Sequence, residues 1–327
     1  MICEFEHNIF SIKTDEFDDL ALQIFHFQVQ HNLVYRQYID TLHTDIRSVQ
    51  LVEQIPFLPV SFFKTHTICT GDFTPEAMFE SSGTTQPINS RHYVKNVSIY
   101  KNSFFGAFEK AYGPVHEYCI LALLPAYLER ANSSLVLMAD EFIKRSSHAQ
   151  SGFYLYNYPA LAETLVMLEE QKQKTLLLGV TFALLDFAEQ FPISLKNTIV
   201  METGGMKGRR KEMIREEVHT VLKKAFGGSS IHSEYGMTEL LSQAYSKGEG
   251  IFECPPWMKI LVREEDDPFA VTDRAGRGVI NIIDLANIYS CSFISTDDAG
   301  QLYADGKFEV LGRIDNSDIR GCSLMAV

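Results

Sequence analysis

Between residues 97 and 226, short apolar runs alternate with longer stretches of helical periodicity, and this alternation limits what the chain can fold into. Residues 119–124 (Cys-Ile-Leu-Ala-Leu-Leu, closed by Pro125), Thr175–Val180 and residues 198–202 are brief and almost wholly apolar. They read as strands buried on both faces. Residues 97–112, 161–174 and 208–226 read as helices, the second with its charges on one side and the third charged throughout. Strands alternating with helices predict an α/β fold, a mainly parallel sheet covered on both faces.

The flanks differ from this body. Residues 14–30 form an amphipathic helical pattern, with Thr14 as cap, Asp15 and Glu16 in the first turn, and Phe17, Leu20, Ile24 and Phe27 on one face. Residues 55–63 are apolar, broken by Pro56 and Pro59, and read as extended. Beyond residue 250, Met258–Arg263, residues 279–284 and residues 291–295 are short strand candidates, and Asp305-Gly306 carries a hairpin signal. The expected organisation is one large layered α/β domain over residues 1–312. Its first 75 or so residues are helical and its part from about 250 is β-rich, with a short tail over 313–327.

Composition narrows the partners. A formal net charge of −13 argues against nucleic acid and anionic membrane surfaces, but it does not exclude a small anionic ligand held by a local cluster of donors. The acidic N-terminus lacks the basic region and apolar run of a secretion signal, and the most apolar stretch, residues 175–188, is too short to span a bilayer and contains Asp186. Six cysteines without a C-x-x-C pair read as free thiols in a reducing cytoplasm. His66-x-x-Cys69 lacks the two further nearby ligands that zinc needs.

Three motifs carry the chemistry. Ser81-Ser82-Gly83-Thr84-Thr85 gathers hydroxyls and backbone N–H groups around one glycine, the arrangement a polyphosphate needs and also one an ordinary turn can have. Glu234-Tyr235-Gly236-Met237-Thr238-Glu239 follows an expected strand, and Thr296-Asp297-Asp298 precedes Gly312-Arg313-Ile314-Asp315. Together they offer donors for phosphates, an aromatic face for a base, a carboxylate for Mg2+, and an acid with an arginine for ribose hydroxyls.

In this order the motifs resemble those of the adenylate-forming superfamily of acyl-CoA synthetases, peptide-synthetase adenylation domains and luciferases, over nearly the whole chain from about Phe79 onward. Within it, Tyr127-Leu-Glu-Arg-x-x-Ser-Ser-Leu135, Thr203-Gly-Gly-Met-Lys207 and His232-Ser-Glu-Tyr-Gly-Met-Thr-Glu239 are most similar to the acyl-protein synthetases of bacterial bioluminescence. The resemblance implies ATP and Mg2+ as cofactors. It implies that Ser81, Ser82, Gly83, Thr84 and Thr85 cradle the β- and γ-phosphates, and that Tyr235 stacks on adenine with Gly236 and Met237 beside it. Gly204 and Gly205 let backbone approach the nucleotide, Thr238 touches the α-phosphate, Glu239 holds the metal, and Asp298 and Arg313 bind ribose. It also implies that Cys322, near the end of the chain, carries the acyl group, its thiolate favoured by Arg320.

Three departures stand out. The phosphate loop continues Gln86-Pro87-Ile88-Asn89 where the family has Gly and then Pro-Lys, so its lysine is missing. No mobile lid domain with its own lysine follows Arg313, and Asp297 replaces a glycine. Lys207, Arg209, Arg210 and Lys307 are the candidate replacement cations. The expected function is ATP-dependent activation of a fatty, aryl or other apolar carboxylic acid, followed by transfer to a thiol of Cys322, of a reductase or carrier protein, or of coenzyme A. A short acyl-CoA or aryl-CoA ligase and a non-catalytic nucleotide- or acyl-binding protein are the alternatives.

Overall fold

The computed structural model describes residues 2–81, 88–124, 132–204, 213–228 and 230–314. Gly152–Phe153, Cys119–Leu123, Thr175–Val180, Thr198–Thr203 and Ile231–Tyr235 lie side by side in that order, all parallel. From Ile231–Tyr235 the same sheet continues through Ala244–Ser246, Ile251–Glu253, Phe308–Arg313, Phe293–Leu302, Gly276–Asp284, Met258–Arg263 and Val271–Thr272, every neighbour antiparallel. The expected α/β body and β-rich part are thus two halves of one sheet, and the sheet changes sense at Tyr235.

The parallel half is as dry as its composition requires. Every residue of Cys119–Leu123 and Thr175–Val180 is buried, because helices cover both faces and leave no edge for polar side chains. The helix Val97–Tyr112 has the expected bounds and is capped by Asn96, whose side chain accepts from Ser98 N. Two helices differ from expectation. The 161–174 pattern is the helix Tyr158–Glu170, started by the Asn157 cap and Pro159 in its first turn. The 208–226 pattern is Arg215–Ala225, started where Glu217 accepts from Ile214 N at 3.2 Å.

The N-terminal helices pack onto the β-rich half. The 14–30 pattern is a 3-10 turn, Thr14–Glu16, followed by the helix Phe17–His31. Gln28 is fully buried on that helix. Its amide donates to the carbonyls of Asn287 and Ile288 (3.0 Å each) and accepts from Ser292 N at 2.9 Å. Leu58–Pro59 adds a short parallel strand to Phe293–Leu302, after which the chain turns into the helix Phe62–Thr65 instead of staying extended. These contacts fix the segment 284–292 from behind.

Candidate active site

The turn after Ile231–Tyr235 occupies the carboxyl end of the last parallel strand, where the sheet reverses sense. In open α/β sheets this is where ligands bind. At one end of the turn, the Tyr235 hydroxyl donates to Asp298 Oδ2 at 2.8 Å and also lies 3.7 Å from Met237 Sδ. Asp298 faces Arg313 across the antiparallel pair, in register, and Arg313 Nε lies 3.4 Å from Asp298 Oδ1. The tight turn at Asp305-Gly306, with Gly306 at a φ of 80°, sets the first pairs of this hairpin, and a bulge between Ala299 and Gly300 shifts the register to bring Asp298 opposite Arg313. The Tyr235 ring is held edge-on by Phe252 and Phe308, with centroids 5.9 and 5.5 Å away. Burial raises the Asp298 carboxyl, against the opposing effects of Tyr235 and Arg313. The Arg313 side chain itself is 70% exposed, so most of its donors face outward.

At the other end of the turn stand Thr238 and Glu239. A separate hairpin, Ala77–Glu80 with Arg91–Val94, is docked against them. Ser81 prolongs that pairing: its N–H donates to Ser90 O at 3.1 Å, and its Oγ accepts from Ser90 N at 2.9 Å. Buried His92 on this hairpin donates through Nδ1–H to Thr238 O at 2.9 Å, and burial pushes its imidazole down to about 4, so it is neutral. Ser90 hydrogen-bonds the Glu239 carboxylate, and Asn287 Nδ2 donates to Glu239 O at 2.7 Å. Burial raises the Glu239 carboxyl, while Ser90, Arg313 and Lys64 act in the opposite sense.

Lys64 is a half-buried residue of the Phe62–Thr65 helix, which packs on the Arg91–Val94 strand through Phe63, edge-on to His92 at 5.8 Å. Sequence reasoning missed Lys64, His92, Ser90 and Asn287. Each is separated from Glu239 by long stretches of chain, and no local pattern marks them.

Behind the turn, the floor is made rigid by Asp284. Its buried carboxylate accepts from Leu241 N (2.8 Å), Ser242 N (3.0 Å), Ser242 Oγ (2.6 Å) and Ala286 N (3.1 Å). Ser242 continues to Ser103 at 3.0 Å, which accepts from Trp257 Nε1 at 2.9 Å. A second buried acid, Glu202, closes the neighbouring strand. Burial alone raises it, but His219, Arg215, Ser233 and Thr181 outweigh this and hold it below the usual range. Arg215 also donates to Val310 O at 3.0 Å and lies over the Phe252 ring. This links the parallel half to the strand that carries Arg313.

Of the residues singled out in the sequence, Ser81, Tyr235, Gly236, Met237, Thr238, Glu239, Asp298 and Arg313 gather around this turn. Gly204 ends the adjacent strand with a φ of 70°, which favours glycine, and its carbonyl accepts from Thr181. Ser82, Gly83, Thr84, Thr85, Gly205 and Cys322 lie outside the described residues, as do the candidate cations Lys207, Arg209 and Arg210. Lys307 is tied to Asp305 within its own turn at 3.1 Å. Among the described residues no group of three or more His, Cys, Asp or Glu side chains could hold a metal, and no helix is long and apolar enough to cross a membrane.

The family described as "Acyl-protein synthetase, LuxE" matches residues 10–326. Among solved structures, the chain resembles ATP-bound MatB from Rhodopseudomonas palustris, with a TM-score of 0.55 and 14% identity over 75% of this chain and 50% of that one. A 2-hydroxyisobutyryl-CoA ligase in complex with 2-HIB-AMP and CoA gives a TM-score of 0.61 and 12% identity over 93% of this chain and 71% of the ligase. A long-chain-fatty-acid-CoA ligase, FadD1 from Archaeoglobus fulgidus, gives 0.52 and 15% over 72% and 51%. These likenesses establish the fold, that of the large domain of adenylate-forming enzymes. The chain spans about half the length of MatB and FadD1. A search of curated protein sequences returns no significant match.

Proposed function

Since this chain belongs to the LuxE family of acyl-protein synthetases, we propose that it is an ATP-dependent acid:thiol ligase. It activates a fatty or other apolar carboxylic acid as acyl-AMP and passes the acyl group to a thiol. The observation that carries this reading is the convergence of Tyr235, Asp298 and Arg313 on one side of the turn with Thr238 and Glu239 on the other. There the turn meets the hairpin of Asp298 and Arg313 and, through His92, the hairpin Ala77–Glu80 with Arg91–Val94.

In the first step a carboxylate oxygen of the acid attacks the α-phosphorus of ATP, and the bond to the pyrophosphate oxygen breaks. The chain's part is to place and to neutralise. Asp298 and Arg313 take the ribose hydroxyls, the Tyr235 ring lies against the adenine, and Thr238 and the loop 81–85 donate to phosphate oxygens. Glu239 is one carboxylate beside expected phosphate oxygens, and this donor set suits Mg2+, which is usually held by one or two carboxylates plus substrate phosphates. When bound there, the ion would neutralise phosphate charge. Lys64 adds positive charge that acts on Glu239, in a family member whose phosphate loop lacks its lysine.

In the second step a thiol sulfur attacks the acyl carbonyl carbon and AMP leaves. Burial raises the thiols of Cys69, Cys119, Cys254 and Cys291, the last to about 12, so these four are poor nucleophiles. The family resemblance points to Cys322 as the acceptor, with a partner's thiol or coenzyme A as the alternatives. The test is pyrophosphate release from ATP across a panel of acids, followed by intact mass. One added acyl group, removed by neutral hydroxylamine and absent in Cys322→Ser, assigns Cys322. ATP binding without pyrophosphate release for any acid would sink the ligase reading.

A further inference from the structure

The strand Phe308–Arg313 carries its bulge just before it reaches the site. Val310 faces Gly300 and Gly312 faces Ala299, so Leu311 is an extra residue on this side of the pairing. In the register that the turn at Asp305-Gly306 begins, Asp298 would face Gly312. Arg313 would then lie opposite Asp297, with its side chain on the other face of the sheet. One extra residue thus brings Asp298 and Arg313 together, and bulges commonly re-aim side chains beside a site. The same bulge disrupts the ladder locally, so whatever holds it in place decides whether the pair is aligned.

Arg215 supplies that hold. On its other edge Phe308–Arg313 is paired only as far as Glu309, which faces Ile251, and there the neighbouring strand ends. The next residue of that neighbour, Gly250, departs at a φ of 71°, and a side chain on it would meet Arg215 Cδ at 3.2 Å. Val310 O, at the bulge, instead accepts from Arg215 Nη1 at 3.0 Å. The guanidinium is itself fixed on two sides. Its Nε lies 3.6 Å from Glu202 Oε1, and it sits over the Phe252 ring, 5.0 Å from the centroid. Glu202 is 7% exposed and is anchored in turn by Thr181 Oγ1, which donates to its Oε2 at 2.9 Å. Arg215 is also the first residue of its helix, where a cation opposes the helix dipole, so helix formation does not account for it.

We propose that Arg215 is a positioning residue for the nucleotide: by gripping Val310 O it pins the bulge, and so keeps Asp298 and Arg313 aligned on the ribose hydroxyls. The proposal rests on the placement of ATP in the ligase reading above. Arg215 acts through Asp298 and Arg313, and Glu202 acts through Arg215. An ion pair that served stability alone would, when broken, weaken every nucleotide alike. A strut for the ribose pair predicts a selective loss instead. Sites built to hydrogen-bond a substrate hydroxyl discriminate strongly against the analogue that lacks it, and that discrimination is what a misaligned pair gives up.

The experiment measures Kd for ATP, 2′-deoxy-ATP and 3′-deoxy-ATP by calorimetry on the full chain, beside kcat and KM of acid-dependent pyrophosphate release. The native protein should prefer ATP. In Arg215→Met that preference should shrink about fivefold, with a similar rise in KM for ATP and little change in kcat, an effect within the range that residues of one network exert on each other. In the Asp298→Ala background, Arg215→Met should change KM less than about twofold, because the pair through which it acts is already broken. Arg215→Lys keeps the charge against Glu202 and carries the test if the methionine variant does not fold. Its ammonium lacks the flat fork that spans the Glu202 and Val310 oxygens, so the preference should fall here too. The positioning role is overturned by a native protein without the preference, by a native preference in either variant, by an equal loss for all three nucleotides, or by KM effects that multiply in the double variant. The expected binding pattern without pyrophosphate release for any acid overturns the ligase reading and leaves the grip of Arg215 standing.

Discussion

The two ends of the turn after Tyr235 are built by different means. On the Asp298 side, the groups stand on strands. Register places Asp298 opposite Arg313, and Tyr235 reaches Asp298 from the end of the neighbouring half-sheet. On the Glu239 side, the groups come from a turn, a hairpin and a short helix, held to one another by single bonds such as His92 to Thr238. Strand register positions side chains before any ligand arrives. The loop-built end leaves more of the charge balance to Lys64, to phosphate and to metal. The strand-built end should therefore govern binding, and the loop-built end should govern the chemical step.

Mutation of Glu239 breaks this division most severely. Glu239→Gln keeps the Ser90 contact but removes the charge, and acid-dependent pyrophosphate release should fall on the order of a hundredfold or more. Heat-stabilisation by ATP without the metal should be nearly unchanged. An equal loss in both measurements would show that Glu239 serves binding at least as much as chemistry.

Lys64 comes next. Lys64→Ala should lower kcat on the order of tenfold, with Lys64→Arg retaining most of the activity, because a charge beside the phosphates matters more than its exact geometry. Full activity in Lys64→Ala would shift the missing positive charge to the basic run 207–211. At the strand-built end, Asp298→Ala should raise KM for ATP about tenfold, the low end of what one lost charged hydrogen bond is worth, with little change in kcat. It should also erase any preference for ATP over its deoxyribose analogues. A kcat defect instead would blur the contrast between the two ends.

Sequence patterns make the strand-built end far more legible than the other. Thr175–Val180, Met258–Arg263 and Val97–Tyr112 can be placed from local periodicity alone, and Asp305-Gly306 announces the hairpin whose strands carry Asp298 and Arg313, although the bulge that aligns the two is not announced. Asn157 and Pro159, which start the helix Tyr158–Glu170, lie ahead of its periodic stretch, so periodicity alone misplaces the start by a few residues. What local pattern could not show is convergence. Gln28 bonds to residues some 260 positions away, and His92 to one 146 away. Nothing in the neighbourhood of Lys64 marks it as a charge that acts on Glu239. The grip of Arg215 on Val310 is hidden for the same reason, since the two stand 95 positions apart.

The smallest effect at neutral pH concerns His92, the bolt between hairpin and turn. Its folded-state value of about 4 lies below the usual value near 6.5. Between these two values the unfolded chain binds more protons than the folded one. The contribution of neutral, buried His92 is thus complete above about 6.5 and is lost as pH falls through about 4. Fully expressed, this amounts to roughly 3 kcal/mol. Burial raises the carboxyls of Glu234, to about 7, and of Glu239 and Asp298, so these groups act in the opposite sense. Stability from their protonated forms is lost as pH rises, so the total curve masks His92. The difference between the protein and His92→Asn isolates it, because Asn can still donate to Thr238 O but does not titrate. Denaturant unfolding should favour the native histidine least at low pH, with the gap between the two proteins changing between about pH 6.5 and 4. A gap that stays constant over that range would mean that His92 is not held neutral, and that the hairpin is fastened to the turn by something other than this bond.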